Sequence, residues 1–305
     1  FQIRNAGSYV KSWHIKNLGY ILKIGSKVPS VFNSLQSSFI GRSLIGFERS
    51  PPLLGEKSLN TWWDDSKSKK DNHSTTIWVV VDIFTQYYDV NIGKDALNFL
   101  KMCNVNINVI FSKNSIVAMI SHGLLNEAKN TLKILQTALN NIAKNDLVVG
   151  IEPSETLIWR DEAKSLIKNK LPNVLLFEEL LLKLNQLKLL PKFNTLDSKV
   201  WVYEHCHQRA LTETNNLTEA LGLIPDLQIE VINDGCCGMA GEFGYKYSKI
   251  SKNIAHNSLD EYMEKIKDQD ILIATGTSCR KQILDVFQTR SIHLTQLFIQ
   301  SIEGE

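Results

Sequence analysis

Hydrophobic and polar positions change pattern near residue 77. From there on, short apolar runs alternate with stretches of helical period. Residues 77–83 form a near-continuous apolar run rich in β-branched side chains, the pattern of a strand covered on both faces. Residues 91–102 carry Ala96, Leu97 and Leu100 at helical spacing; 105–111 then predicts a strand and 123–143 a long amphipathic helix. Residues 147–151 read as a strand, 155–168 as a helix, 174–177 as a short strand and 178–189 as a helix. The alternation then restarts. Strands are predicted at 199–203, 228–232 and 271–274, with a strand end at 291–293, and helices at 217–221, 247–266, 278–287 and 295–302.

Strand–helix alternation in this order implies an α/β fold with parallel sheets and crossover helices. Two passes of it predict two pseudo-duplicated Rossmann-like halves of roughly 115 residues, each the size of a small domain. We therefore expect an N-terminal arm and linker at 1–70, a first half at 71–195 and a second at 196–305. The arm is irregular in character: one or two short helices fit within 10–35, and Ser50-Pro51-Pro52 followed by Gly55 breaks the chain. Trp62 and Trp63 read as side chains that dock the arm on the domain surface, and the polar run 66–76 reads as a linker. The arm is expected to pack on the domain without a core of its own. The start, Phe1-Gln2-Ile3-Arg4, has neither an initiator Met nor a signal-peptide pattern and reads as a cut from a longer protein.

In parallel α/β folds the carboxyl ends of the strands carry the sites. The loop after the first strand is Phe84-Thr85-Gln86-Tyr87-Tyr88 in one half and Glu204-His205-Cys206-His207-Gln208 in the other. After the second strand come Lys113-Asn114-Ser115 and Gly235-Cys236-Cys237-Gly238; after the third, Glu152-Pro153-Ser154-Glu155 and Gly276-Thr277-Ser278-Cys279. Thiols occupy these loops only in the second half. If the halves are copies, Glu155 stands where Cys279 does.

A net charge of +2, from 34 basic and 32 acidic side chains, supplies no field for nucleic acid, and no apolar run is long enough to cross a bilayer. Of five cysteines, Cys103 lies on an apolar helical stripe and reads as an inert core thiol. The other four follow the spacing C-x29-CC-x41-C, unlike any zinc knuckle. Three readings stay open for Cys206, Cys236, Cys237 and Cys279: ligands of a metal or cluster, bare redox thiols, or unrelated buried cysteines. His205 and His207 are candidate metal ligands or proton relays, set against plain hydrogen-bonding roles. They point the same way if the strand continues and separate if it turns. Gly238, Gly241 and Gly244 give the thiol loop backbone freedom. Arg280, beside Cys279, either lowers a thiolate pKa, attracts an anion, or lies on a helix surface.

The stretch Cys236-Cys237-Gly238-Met239-Ala240-Gly241-Glu242-Phe243-Gly244 resembles the CCG signature of the cysteine-rich domain found in heterodisulfide reductase and in the glycolate oxidase iron–sulfur protein. His205-Cys206-His207-Gln208-Arg209-Ala210-Leu211 and Gly276-Thr277-Ser278-Cys279-Arg280 are similar to the C-terminal region of fused FAD-linked iron–sulfur oxidoreductases. So are Ser121-His122-Gly123-Leu124-Leu125, Gly150-Ile151-Glu152-Pro153-Ser154 and Arg160-Asp161-Glu162, and the resemblance spans about 75–303. It implies a redox module of a FAD-dependent 2-hydroxy acid dehydrogenase acting on D-lactate, glycolate or D-2-hydroxyglutarate. It further implies a [4Fe–4S] cluster or zinc at the thiols, with FAD bound by the part of the polypeptide outside this chain. The implied partners are FAD-binding and ferredoxin-like domains of that polypeptide and an acceptor such as a quinone. The implied location is cytoplasmic, peripheral at the inner membrane. The family pattern often ends in C-x-x-C, but Gln282 stands three residues after Cys279, leaving four thiols rather than five. The alternative is a zinc-binding or empty-site docking domain without a redox role.

Overall fold

Two runs of β-branched and aromatic residues, β1 (Thr76–Val81) and β4 (Lys199–Tyr203), form the central strands of two three-stranded sheets. Their neighbours are β2 (Asn106–Phe111) and β3 (Leu147–Gly150) in the first sheet, and β5 (Gln228–Val231) and β6 (Ile271–Ala274) in the second. Every pairing is parallel, and the orders β2-β1-β3 and β5-β4-β6 are the same topology twice. These elements come from a computed structural model that describes residues 13–66, 74–140, 142–143, 145–168, 170–212, 215–233 and 235–302.

Helices fill the crossovers. In the first half they are α5 (Ile83–Tyr87), α6 (Val90–Met102), α7 (Ile116–Ser121), α8 (Leu125–Asn140), α9 (Pro153–Leu157), α10 (Glu162–Leu166) and α11 (Phe177–Gln186). In the second they are α12 (Cys206–Leu211), α13 (Asn216–Leu221), α14 (Phe243–Lys246), α15 (Ser248–Met263), α16 (Thr277–Phe287) and α17 (Leu294–Ile302). Before the first sheet lie the arm helices α1 (Leu18–Gly25), α2 (Pro29–Ser37), α3 (Phe39–Ile45) and α4 (Leu59–Ser66).

The two-residue pleat sorts each central strand between two cores. Ile77, Val79 and Val81 share one apolar cluster with Val200 and Val202, filled by Leu97 of α6, Leu180 of α11, Leu217 of α13 and Leu297 of α17. Here α6 packs on α17 and α11 on α13, so each half supplies one helix to each pair. The other strand faces diverge. Trp78 and Val80 pack toward Leu132 and Trp159, whereas Trp201 and Tyr203 pack with Cys237, Cys279 and Ile283.

The expected duplication is present in residue-level detail. Ile77 is in register with Leu147, and Val200 with Ile271. One residue on, the Trp78 indole donates to Asp146 at 3.0 Å and the Trp201 indole donates to Asp270 at 2.9 Å. Single bridges, Val149 to Leu175 and Ile273 to Ile292, sit at matching places too. On this register Glu155 and Cys279 coincide: each is the third residue of the helix after the third strand.

Several elements differ from expectation. The predicted helix 155–168 is split into α9, a 3-10 turn at Ile158–Arg160 and α10. Leu157, Ile158 and Trp159 are all buried in succession, and three consecutive residues cannot share one face of an α-helix. The predicted strands at 174–177 and 291–293 shrink to the single bridges, because the chain turns at once into α11 and α17. The arm is more helical than expected: Pro29 opens one helix and Ser38 caps the next by accepting from the Gly41 amide at 3.0 Å. Leu22 and Leu54 of the arm pack on Ile83 and Tyr87 of the first half. Trp63 is buried in the shared core, and the Lys101 ammonium lies 5.3 Å from both the Trp62 and Trp63 rings. Most of the linker predicted at 66–76 lies outside the described residues.

Candidate metal centre

The thiols do not all sit in loops, as the sequence suggested. Cys206 opens α12 and Cys279 lies in the first turn of α16; Cys236 and Cys237 alone are in an irregular segment. Short helices start directly at the strand ends because a side chain caps each one. Asp82 accepts from the Phe84 and Thr85 amides at 2.7 and 2.9 Å to start α5. At the matching position His205 caps α12, its Nδ1 accepting from the His207 amide at 3.3 Å. The segment between Cys237 and α14 turns through Gly238 at φ +81°, where a Cβ would lie 2.3 Å from the Ser251 carbonyl oxygen, so only glycine fits.

Three segments thus bring the thiols into a connected row. Cys206 is hydrogen-bonded to Cys236, Cys236 to Cys237, and Cys237 to Cys279. The row runs inward: Cys206 is exposed, Cys236 half-buried, and Cys237 and Cys279 buried. Backbone amides point at the sulfurs. Gly238 N–H donates to Cys236 Sγ at 3.3 Å, and the His207 and Met239 amides donate to Cys206 and Cys237. Cys236 accepts from the thiols on both sides, which holds it below the usual thiol range. Giving a proton to Cys236 pushes Cys206 and Cys237 up, and burial adds to both. Charge in the row therefore collects on Cys236.

The two histidines separate at the turn. His205 packs its ring against Gly276 beside the row, and burial lowers its pKa against the opposing charge of Glu152. His207 faces away, its Nε2 3.9 Å from Glu162 Oε1. Among the described residues, Asp161, Glu162 and His207 are the set of three ligand atoms that lie within 4.8 Å of one another. A single tetrahedral zinc needs sulfurs only about 3.8 Å apart, from Zn–S bonds near 2.3 Å. Among the described residues no three of the thiol sulfurs lie within 4.8 Å of one another. Four thiols, amides aimed at sulfur and a dry inner end match what a four-iron cluster requires of a protein.

Sequence reasoning missed the supports of this row. Gln282, which stands where the resembled family often has a further thiol, is fully buried. It donates to Ser251 O at 3.1 Å and accepts from Arg49 of the arm at 2.5 Å. Arg49 also donates to Gly244 O at 2.8 Å, so the arm clasps the helices around the thiols. Such contacts link residues some two hundred positions apart, and no local pattern signals them. His122, from the motif singled out in the first half, contacts Glu242 of the CCG stretch. Arg280 is neither free nor on a helix surface: it pairs with Asp89 at 2.6 Å.

In the first half oxygen replaces sulfur. Ser115 and Cys237 each stand six residues beyond the paired valines Val109 and Val231 (109 to 115; 231 to 237). Ser115 donates its hydroxyl to Glu155, where Cys237 meets Cys279 in the other half. The Ile116 amide donates to the second Glu155 oxygen at 3.1 Å. Burial, with the charge of Asp82 adding, pushes Glu155 up to about 8; burial, with Glu152 adding, pushes Asp82 up to about 6. Arg160 does not pair with Glu152 or Glu155; it is bidentate to Glu179, with Nη1 2.8 Å from Oε1.

Residues 200–284 match the cysteine-rich domain family denoted CCG. Across 259 residues the chain is 29% identical to D-2-hydroxyglutarate dehydrogenase of Escherichia coli K12, covering 82% of this chain and 25% of that protein. The enzyme of the same name from Pantoea ananatis is 26% identical over 299 residues, covering 91% and 29%. One component of the anaerobic glycerol-3-phosphate dehydrogenase of E. coli K12 is 21% identical over 273 residues, covering 85% and 67%. The chain thus spans about a quarter of the length of the D-2-hydroxyglutarate dehydrogenases it matches. Among solved structures, Picrophilus torridus aspartate racemase aligns over 74% of this chain and 94% of its own, with 13% identity and a TM-score of 0.30, too low to carry an argument. Residues 200–284 thus carry the cysteine-rich CCG domain, and in its thiol signature and its relatives the chain resembles FAD-linked and iron–sulfur oxidoreductases.

Proposed function

We propose that the chain is the cysteine-rich redox module of a FAD-dependent 2-hydroxy acid dehydrogenase of the D-lactate, glycolate or D-2-hydroxyglutarate type. The observation that carries this is the connected row from Cys206 to Cys279, which descends from the surface into the core of the CCG domain. The names of the relatives support the 2-hydroxy acid class. Cys206, Cys236, Cys237 and Cys279 would hold a [4Fe–4S] cluster, which supplies one-electron chemistry when bound. The amides of Gly238 and Met239 stabilise charge on the sulfurs, His205 lies beside Cys236, and the His207 ring is turned toward Glu162. Tyr203 and Ile283 keep water from the inner end. FAD and a ferredoxin-like segment belong to the remainder of the polypeptide, and the electron acceptor is of the quinone type. We place the assembly in the cytoplasm, peripheral at the inner membrane. No helix among the described residues is long and apolar enough to cross a membrane.

The test is metal content after anaerobic purification. The expected result is roughly four iron and four sulfide per chain, lost in Cys206→Ser and Cys279→Ser with the secondary structure kept. Stoichiometric zinc without sulfide would overturn the redox reading in favour of a docking domain.

A further inference from the structure

The first half carries no thiol in its strand-end segments, yet it reaches the thiol centre directly. Helix α16 carries Cys279 in its first turn, and its N-cap, Gly276, has no side chain with which to cap it. Nor can that position acquire one: a Cβ on Gly276 would lie 2.6 Å from Cδ2 of the His205 ring. The orphan amides of an 11-residue helix next to the sulfurs must be satisfied from elsewhere.

The first of them is satisfied from the other half. Glu152 is buried, and its Oε2 accepts from the Thr277 amide at 2.9 Å. Its Oε1 accepts from Ser154 Oγ at 2.8 Å. The Thr277 hydroxyl lies between two first-half carboxylates, 2.9 Å from Glu152 and 2.6 Å from Asp89, and its one proton serves one of them at a time. Asp89 also holds Arg280, which donates to the Ala274 and Thr275 carbonyls at 2.8 Å each and so ties the end of β6 to the helix. Glu152 is the residue equivalent to Gly276 on the pseudo-two-fold register: each is the N-cap of its own helix. One N-cap gives its side chain to the helix of the other.

We propose that the thiol-free half acts as the clamp of the thiol centre, with Glu152 the positioning residue that caps the Cys279 helix and sets the charge beside the sulfurs. A helix N-terminus favours negative charge on a nearby thiolate. A carboxylate at the same N-terminus works against it. Reduction adds an electron to the centre, so the carboxylate disfavours the reduced state and lowers the midpoint potential. Glu152→Gln keeps an acceptor oxygen for Thr277 and removes only the charge; Glu152→Ala removes both.

The potential readout rests on the proposal that the thiols hold an iron–sulfur cluster, whereas the cap does not. In the anaerobically loaded protein, an EPR-monitored redox titration should place the midpoint of Glu152→Gln above that of the parent, with iron content unchanged. An equal midpoint at full iron content would overturn the electrostatic role. Backbone hydrogen exchange on the metal-free chain tests the cap separately. Exchange at Thr277 to Arg280 should rise about fivefold in Glu152→Ala, the equivalent of the ~1 kcal/mol that a lost N-cap costs, and stay near the parent rate in Glu152→Gln. Unchanged exchange in Glu152→Ala would overturn the cap. A parent chain that takes up no iron, with the exchange result as expected, would sink the cluster and leave the clamp standing.

Discussion

Glu155 and Cys279 hold the same place in the two halves, and the difference between a carboxyl and a thiol there has a measurable cost. Glu155 is raised from 4.5 to about 8, chiefly by burial, and Glu178, also buried, from 4.5 to about 8; Asp82 is raised from 3.8 to about 6. Each binds its proton more tightly in the folded chain than in the unfolded one. Stability contributed by these groups is complete below pH 4 and is lost as pH rises through about 6 and then about 8. Urea unfolding should therefore give a lower midpoint at pH 8.5 than at pH 5, by on the order of a few kcal/mol in free energy. Glu155→Gln should flatten that fall, since its amide N–H2 can donate to Ser115 while its oxygen accepts from Ile116. An identical pH slope in the variant would place the ionisation elsewhere. Cys103 behaves differently from the other thiols: it is fully buried, donates to Phe99 O at 3.3 Å, and is pushed up to about 12 by burial. Cys103→Ala should leave metal content untouched and cost about 1 kcal/mol or more of stability through lost packing. Helical spacing around Cys103 was enough to separate it from the four thiols in strand-end segments.

At the level of elements, the thiol segment depends on one backbone conformation. Gly238→Ala would force a side chain into the left-handed region and against Ser251. It should cost about 2 kcal/mol or more and strip iron from the purified protein; full iron content in a folded Gly238→Ala chain would refute the dependence. Apolar periodicity made the strands and long helices readable, because β1 and β4 are buried on both faces and α6 and α8 carry clean stripes. It did not reveal α5 and α12, which are one-turn helices started by the Asp82 and His205 caps rather than by amphipathic pattern. Nor could it break the segment after β3 at Asp161, a break imposed by tertiary burial of three neighbouring apolar residues. The four thiols were legible as a group because α/β topology collects strand ends on one edge. Their supports were not: Arg49, Asp89 and Glu152 reach the centre across long stretches of chain.

For the molecule as a whole, the shared core decides how it folds. Its apolar cluster draws on both central strands and on one helix pair from each direction, so neither half can bury its inner face alone. Leu297→Ala, in α17, should cost about 2–5 kcal/mol and speed hydrogen exchange in β1 as well as in β4. Exchange altered only in β4 would mean the halves unfold independently. The same arrangement leaves one end of the sulfur row in solvent and the other sealed in that scaffold. Air and peroxide therefore meet the protein at Cys206 and Cys236, which are already hydrogen-bonded neighbours, while Cys237 and Cys279 stay out of reach. In the metal-free chain those two outer thiols are placed to surrender their hydrogens and two electrons to an oxidant and close a bridge. Ageing of the protein on the bench should begin as that one crosslink, visible by peptide mapping and reversible by dithiothreitol, long before the inner pair is damaged.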